Sequence, residues 1–152
     1  MEKTVDLMDE PSLKLFVVLN RALQSVEKRV AQDIKSYNLN LTEFSVLELL
    51  YSRGDQPIQK IGQKVLLASS SITYVVDKLE EKKLLRRRAC DQDRRVTHAT
   101  LTDEGKKLMD DIFPKHVSAM KEIMGGLTDE EKKQAIELIK KLGYHAEEFR
   151  EQ

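Results

Sequence analysis

The residues best able to do chemistry in this 152-residue chain crowd into one stretch, LLRRRACDQDRRVTHATLT, residues 84–102. Five arginines (Arg86, Arg87, Arg88, Arg94 and Arg95) flank a polar segment that holds the single cysteine, Cys90. Guanidinium groups are planar, permanently charged forks of donors that match phosphate oxygens, so the pattern suits a polyanion. From Lys82 to Arg95 seven basic residues stand against Asp91 and Asp93, yet over the whole chain Lys+Arg and Asp+Glu balance at 26 each. The remainder is acidic by the same amount. A protein that coats polyanions indiscriminately would be basic throughout; here the charge is sorted onto one surface.

Other groups have plainer roles open to them beside the functional ones. Ser69, Ser70, Ser71 and Thr73 precede an apolar-periodic run; Ser69 or Ser70 suits an N-cap, leaving the others to donate to phosphates or base edges. Lys60, Lys64 and Lys78 read as solvated lysines near a phosphate backbone. Asp93 and Arg95 lie two apart on what reads as a strand, hence on one face. Either the carboxylate holds the guanidinium for a ligand, or the two form a surface ion pair worth at most about 1 kcal/mol. Cys90 among arginines is a candidate redox sensor, but with no second cysteine to resolve an oxidised thiol it also reads as an incidental exposed thiol. Phe16, Tyr37, Phe44 and Tyr51 are expected to gather where the first helix meets the central lobe, as core or as the lining of an effector pocket. His98, His116, His145 and Cys90 lack metal-ligand spacing, so no metal and no cofactor are expected. No phosphate loop, Ser-His-Asp order or Cys-His pair stands out, which argues against an enzyme.

The elements that must position these residues follow from periodicity. Pro11 and Ser12 open a helix whose apolar residues keep a three-four spacing to Tyr37 and Asn38. Thr42 is expected to cap a second helix that ends at Gly54 in a left-handed conformation. Ile58 reads as a short extended piece, QKIGQKVLL as a short helix with Ile61, Val65 and Leu66 inward, and SSITYVVDKLEEKKL as a further helix. Leu84–Ala89 and Arg94–Leu101 read as two strands around a turn at Cys90–Asp93. Thr102 caps a helix with Leu108, Met109, Ile112, Val117, Met120 and Ile123 inward, kinked near Asp110 by Pro114 and ended by Gly125 and Gly126. Thr128 and Glu131 form a capping box for the last helix, striped by Ala135, Ile136, Ile139, Leu142, Ala146 and Phe149.

Helix, short helix, turn, helix and two-stranded hairpin make a winged helix, so the fold class is mainly α (α+β winged helix). Residues 1–152 read as one domain, with a nucleic-acid-binding lobe over 42–101 and dimerisation helices over 11–38 and 102–152, whose stripes the lobe cannot cover. A helix opened by small hydroxyl residues can enter the major groove, and an arginine-tipped hairpin can follow the backbone into the minor groove. The expected contacts with double-stranded DNA are Ser69, Ser70, Ser71, Thr73, Tyr74, Lys78, Arg88, Asp93, Arg94 and Arg95. With no signal-like segment and no run of about 20 apolar residues, the expected location is the cytoplasm, without a membrane partner. The competing reading is a helical dimeric adaptor that does not bind DNA; its hairpin should be neutral or acidic.

The stretches ITYVVDKLEEKKLLRR and DQDRRVTHATLTDEGKKL resemble the signature of the MarR family of bacterial transcription regulators. Asp77, Leu79, Glu80, Asp93, Arg94, Arg95, Leu101, Thr102 and Gly105 carry the likeness, and element order and length extend it over nearly the whole chain. The resemblance implies a homodimer on a palindromic operator, with repression relieved by a small phenolic ligand or by thiol oxidation. The hairpin RRRACDQDRRVT is also similar to the quinone- and catechol-responsive branch of Gram-positive bacteria. Two departures stand out. Tyr74 replaces a common arginine, so base contacts would differ, and Lys83 replaces the usual glycine before the hairpin, so the helix end must close another way.

Overall fold

A computed structural model describes residues 9–65 and 72–148. Among these residues there are six helices and a small three-stranded antiparallel sheet. Helix α1 spans Pro11–Lys35, with Glu10 accepting from the N–H groups of Ser12 and Leu13. It stops short of Tyr37 and Asn38, against expectation. The N–H groups of Tyr37 and Asn38 reach back only three residues, tightening the last turn, and Asn38 sits at a φ of 60°, which asparagine tolerates.

Helix α2, Leu41–Arg53, is capped by Asn40 and not by Thr42. Asn40 accepts from the Glu43 N–H while Glu43 accepts from the Asn40 N–H, a reciprocal box that outcompetes a lone threonine. Gly54 ends the helix at φ 78° and ψ −165°, positive in φ but extended in ψ, so it is not the left-handed helical cap expected. Strand β1 is Gln56–Pro57; Ile58 is not extended but opens α3, Ile58–Lys64. Proline lacks an N–H to donate and favours a first helical turn just after it, which places the changeover there. Helix α4 covers Ile72–Glu81, and β2 (Leu85–Ala89) pairs with β3 (Thr97–Leu101). β3 lies centrally, with β1 on its other edge through Gln56↔Ala99 and Pro57↔His98.

The return strand thus begins at Thr97 and not at Arg94. The Val96 N–H donates to the Asp93 carbonyl and the Cys90 N–H to the Val96 carbonyl, so residues 91–96 form the turn. Helix α5 spans Asp103–Ile123 with Pro114 inside it, and Met124 is its cap ahead of Gly125 and Gly126. Met109, Ile112 and His116 line its buried side, whereas Val117, expected inward, is exposed. Helix α6, Asp129–Glu148, begins at the expected Thr128–Glu131 box.

Ile34, Phe44, Val46, Leu47, Ile61, Val76, Leu79, Leu85, Ala99 and Met109 form one core beneath the sheet and between α1, α2, α4 and α5. α6 contributes no buried residue to it. Among the described residues no helix is long and apolar enough to cross a membrane.

Candidate nucleic-acid interface

Helix α4 is seated by Val75, Val76 and Leu79, which enter the core. That seating turns Thr73, Tyr74, Asp77 and Lys78 outward on the opposite face. The Lys78 ammonium stands 5.6 Å from the Tyr74 ring centroid and 3.7 Å from Glu81, a short cation–π ladder where an arginine was the familiar residue. Ser69, Ser70 and Ser71, expected to contact DNA, lie outside the described residues, as do Leu66 and Phe149.

The hairpin is tied to this helix through Arg87. The Arg87 guanidinium donates to Asp77 and, at 2.8 Å, to Glu80, while the Arg87 N–H donates to the other Glu80 oxygen at 3.2 Å. The Asp77 hydrogen bond, with both carboxylates nearby, raises the Arg87 pKa further above its usual value. Two of the acidic residues that resemble the family signature therefore clamp strand to helix. Arg88 donates to Asp55 at 2.9 Å and lies 3.8 Å from Asp91, tying the hairpin to the loop after α2.

At the tip the situation differs. Arg94 and Arg95 are exposed; Arg94 has no ion-pair partner among the described residues, and the Arg95 side chain is 92% exposed. Asp93 accepts from the Arg95 backbone N–H at 3.0 Å and from its Nε at 3.2 Å. The two were expected to meet as strand neighbours; they meet instead inside a turn, through a side chain bonding the backbone two residues on. Of the seven cations, Lys82, Arg87 and Arg88 are matched to carboxylates of other elements or of the turn, Arg95 only to Asp93 beside it, and Lys83, Arg86 and Arg94 are exposed with no ion pair among the described residues.

The hairpin's base is fixed where β3 enters α5. The Thr102 hydroxyl donates to the Lys83 carbonyl at 2.6 Å and accepts from the Gly105 N–H at 3.0 Å, and the Thr102 N–H donates to the Leu84 carbonyl. A Cβ on Gly105 would stand 2.0 Å from the Leu84 oxygen, so only glycine fits. Lys83 closes α4 at a φ of 63°, with its N–H on the Glu80 carbonyl and the Leu84 N–H on the Leu79 carbonyl. The missing glycine is replaced by a lysine held in the left-handed region.

The expected aromatic gathering is partly absent. Phe16 is 71% exposed near the start of α1, and Phe44 is core. Tyr37 and Tyr51 instead flank a cluster that periodicity alone did not single out. The His116 ring packs 4.4 Å from Phe44 and its Nδ1 lies 3.2 Å from Asp33; the Tyr51 ring packs tilted against Phe113, centroids 5.5 Å apart, and its hydroxyl donates to Asp110. Burial, then Asp33, raises the Tyr37 pKa, and the Asp110 hydrogen bond raises that of Tyr51. His116 falls four residues after Ile112 and seven after Met109, so its place on the apolar stripe was readable. Cys90 is half-buried at the turn. Among the described residues no His, Cys, Asp and Glu cluster suited to a metal is present.

Comparison with known proteins agrees with this geometry. The MarR family model matches residues 39–97. The chain is 52% identical over 142 residues to the HTH-type transcriptional regulator MhqR of Bacillus subtilis, covering 93% of this chain and 98% of that one. It is 42% identical to the HTH-type regulator YkoM of the same organism, covering 91% and 90%. In fold it is similar to Sco3205, a Streptomyces coelicolor MarR-family regulator solved in complex with DNA, with a TM-score of 0.78 at 21% identity, covering 88% and 89%.

Proposed function

Because this chain belongs to the MarR family of DNA-binding, winged-helix transcriptional regulators, we propose that it acts as a cytoplasmic homodimeric repressor on a palindromic operator. The observation that carries the dimer is α6. This 20-residue helix buries nothing within its own chain, and Ile136, Ile139 and Leu142 stay exposed along it. The first half of α1 likewise exposes Leu13, Phe16 and Val18. Amphipathic helices gain most of their stability from packing an apolar face, and apolar surfaces of this extent mark interfaces. A second copy, bringing the same stripes, covers both.

Two-fold symmetry then brings two α4 helices to adjacent major grooves, reading half-sites roughly 10 base pairs apart. Thr73, Tyr74 and Lys78 face the base edges, with Ser69, Ser70 and Ser71 leading into that helix. Arg94 and Arg95 enter the minor groove, oriented by Asp93, and Arg88 steadies the hairpin beside the backbone. Release comes from a small aromatic ligand, phenolic or quinone, or from a thiol-reactive signal at Cys90; the rings of Tyr51, Phe113 and His116, with Tyr37 joined through Asp33, support the first route. Sedimentation and footprinting test the reading together. A dimer protecting two symmetric half-sites is expected. A well-folded monomer at micromolar concentration, or a single asymmetric half-site, contradicts it.

A further inference from the structure

Lys82 belongs by sequence to the basic run, yet its charge is turned away from the arginine-tipped surface. It stands one residue past the end of α4, its side chain 39% exposed but its ammonium directed to the α1–α2 corner. Its ammonium lies 2.8 Å from Glu43 and donates to the Asn38 carbonyl at 3.1 Å. The Glu43 side chain is only 8% exposed, and its other oxygen accepts from the Asn40 N–H. A carboxylate withdrawn so far from water needs a charged partner and filled hydrogen bonds, and Lys82 completes both. Asn38, at a φ of 60°, is the corner where α1 turns into α2. One lysine therefore ties the end of the exposed-face helix to the cap of α2 and the corner below α1.

We propose that Lys82 is a positioning residue for DNA reading: its contacts with Glu43 and Asn38 set the angle at which α4 leaves the core, and it does not neutralise phosphate. A reading helix must hold its side chains within roughly 0.5 Å and 10–20° of the productive pose, a tolerance that one free helix end exceeds. Core packing by Val75, Val76 and Leu79 keeps the helix folded; the latch fixes its tilt. Non-specific binding, which needs only charge at the surface, does not depend on that tilt.

The inference rests on the operator-binding reading above, and the test separates the two. A duplex selected from a random-sequence library with the wild-type protein serves as the specific probe, and poly(dI-dC) as the non-specific one. Lys82→Met retains the apolar stem and removes the charge. It should weaken binding to the selected duplex on the order of tenfold while leaving the affinity and salt slope on poly(dI-dC) unchanged. Glu43→Gln keeps a capping side chain but makes the protein more basic; it should weaken specific binding too, and the double variant should be no worse than either single one. Equal losses on both probes with a shallower salt slope would make Lys82 an ordinary phosphate contact and overturn the proposal. So would wild-type affinity in Lys82→Met, or tighter binding by Glu43→Gln. If Lys82→Met fails to fold, the Glu43→Gln result decides alone. If the wild-type protein enriches no sequence, the operator reading itself falls.

Discussion

Replacing Asp93 by alanine removes a negative charge from the hairpin tip that the proposed reading sets against phosphate, yet operator binding should weaken. Two effects compete. A carboxylate about 8 Å from a phosphate in a water-like dielectric repels it by about 0.5 kcal/mol, and salt screens roughly half of that. Against this stands the order that Asp93 imposes on Arg95, whose side chain is 92% exposed and has no other ion-pair partner among the described residues. An arginine side chain carries about 2 kcal/mol of rotamer entropy. The paired contacts at 3.0 and 3.2 Å fix its first torsions before DNA arrives, worth on the order of 1 kcal/mol per subunit if half that freedom is removed. The difference favours orientation by about 0.5–1 kcal/mol per subunit, so a dimer of Asp93→Ala should bind its operator about tenfold more weakly. Fluorescence anisotropy of a labelled operator over a salt series measures this, with a thermal melt showing the dimer intact. Tighter binding by Asp93→Ala would show the hairpin tip to be a simple basic patch and refute the reasoning.

Arg95→Ala should lose on the order of 1–3 kcal/mol of operator affinity and flatten the slope of log affinity against log salt by about 0.9 per subunit, read in the same titrations. Lys83→Gly relieves a left-handed lysine costing about 1–2 kcal/mol but adds freedom to the unfolded chain, so urea unfolding should show about 0.5–1 kcal/mol of added stability with an unchanged m-value. Gly105→Ala drives a methyl into the Leu84 carbonyl; a melt should show about 2 kcal/mol or more of destabilisation, and no loss would mean that the hairpin base can shift freely.

Much of the architecture was readable because its signals are local. Apolar spacing located each helix, Thr102 and the Thr128–Glu131 pair announced their caps, and the arginines marked the hairpin. What was missed depends on competition between neighbours. Thr42 is a sound cap in isolation, but Asn40 with Glu43 satisfies two donors at once. Arg94 and Arg95 lie beside β-branched residues and read as strand, yet the Asp93 side chain captures the Arg95 backbone and holds the turn open. Thr73, Tyr74 and Lys78 could be named from helical spacing, whereas the partners of Arg87 and Lys82 come from other elements. A count of charges cannot tell a cation offered to solvent from one matched to Asp77, Glu80 or Glu43.

Helix α6 has no buried residue within its own chain, so on the proposed dimer the intact regulator becomes a matter of abundance. A fold completed by a second copy is stabilised by mass action, and each tenfold fall in protomer concentration removes about 1.4 kcal/mol from assembly. Newly made or diluted chains would present uncovered stripes to proteases until they meet a copy. If the chain works as the proposed dimer, turnover and synthesis would then set the number of intact readers more steeply than in direct proportion, a threshold set by concentration alone.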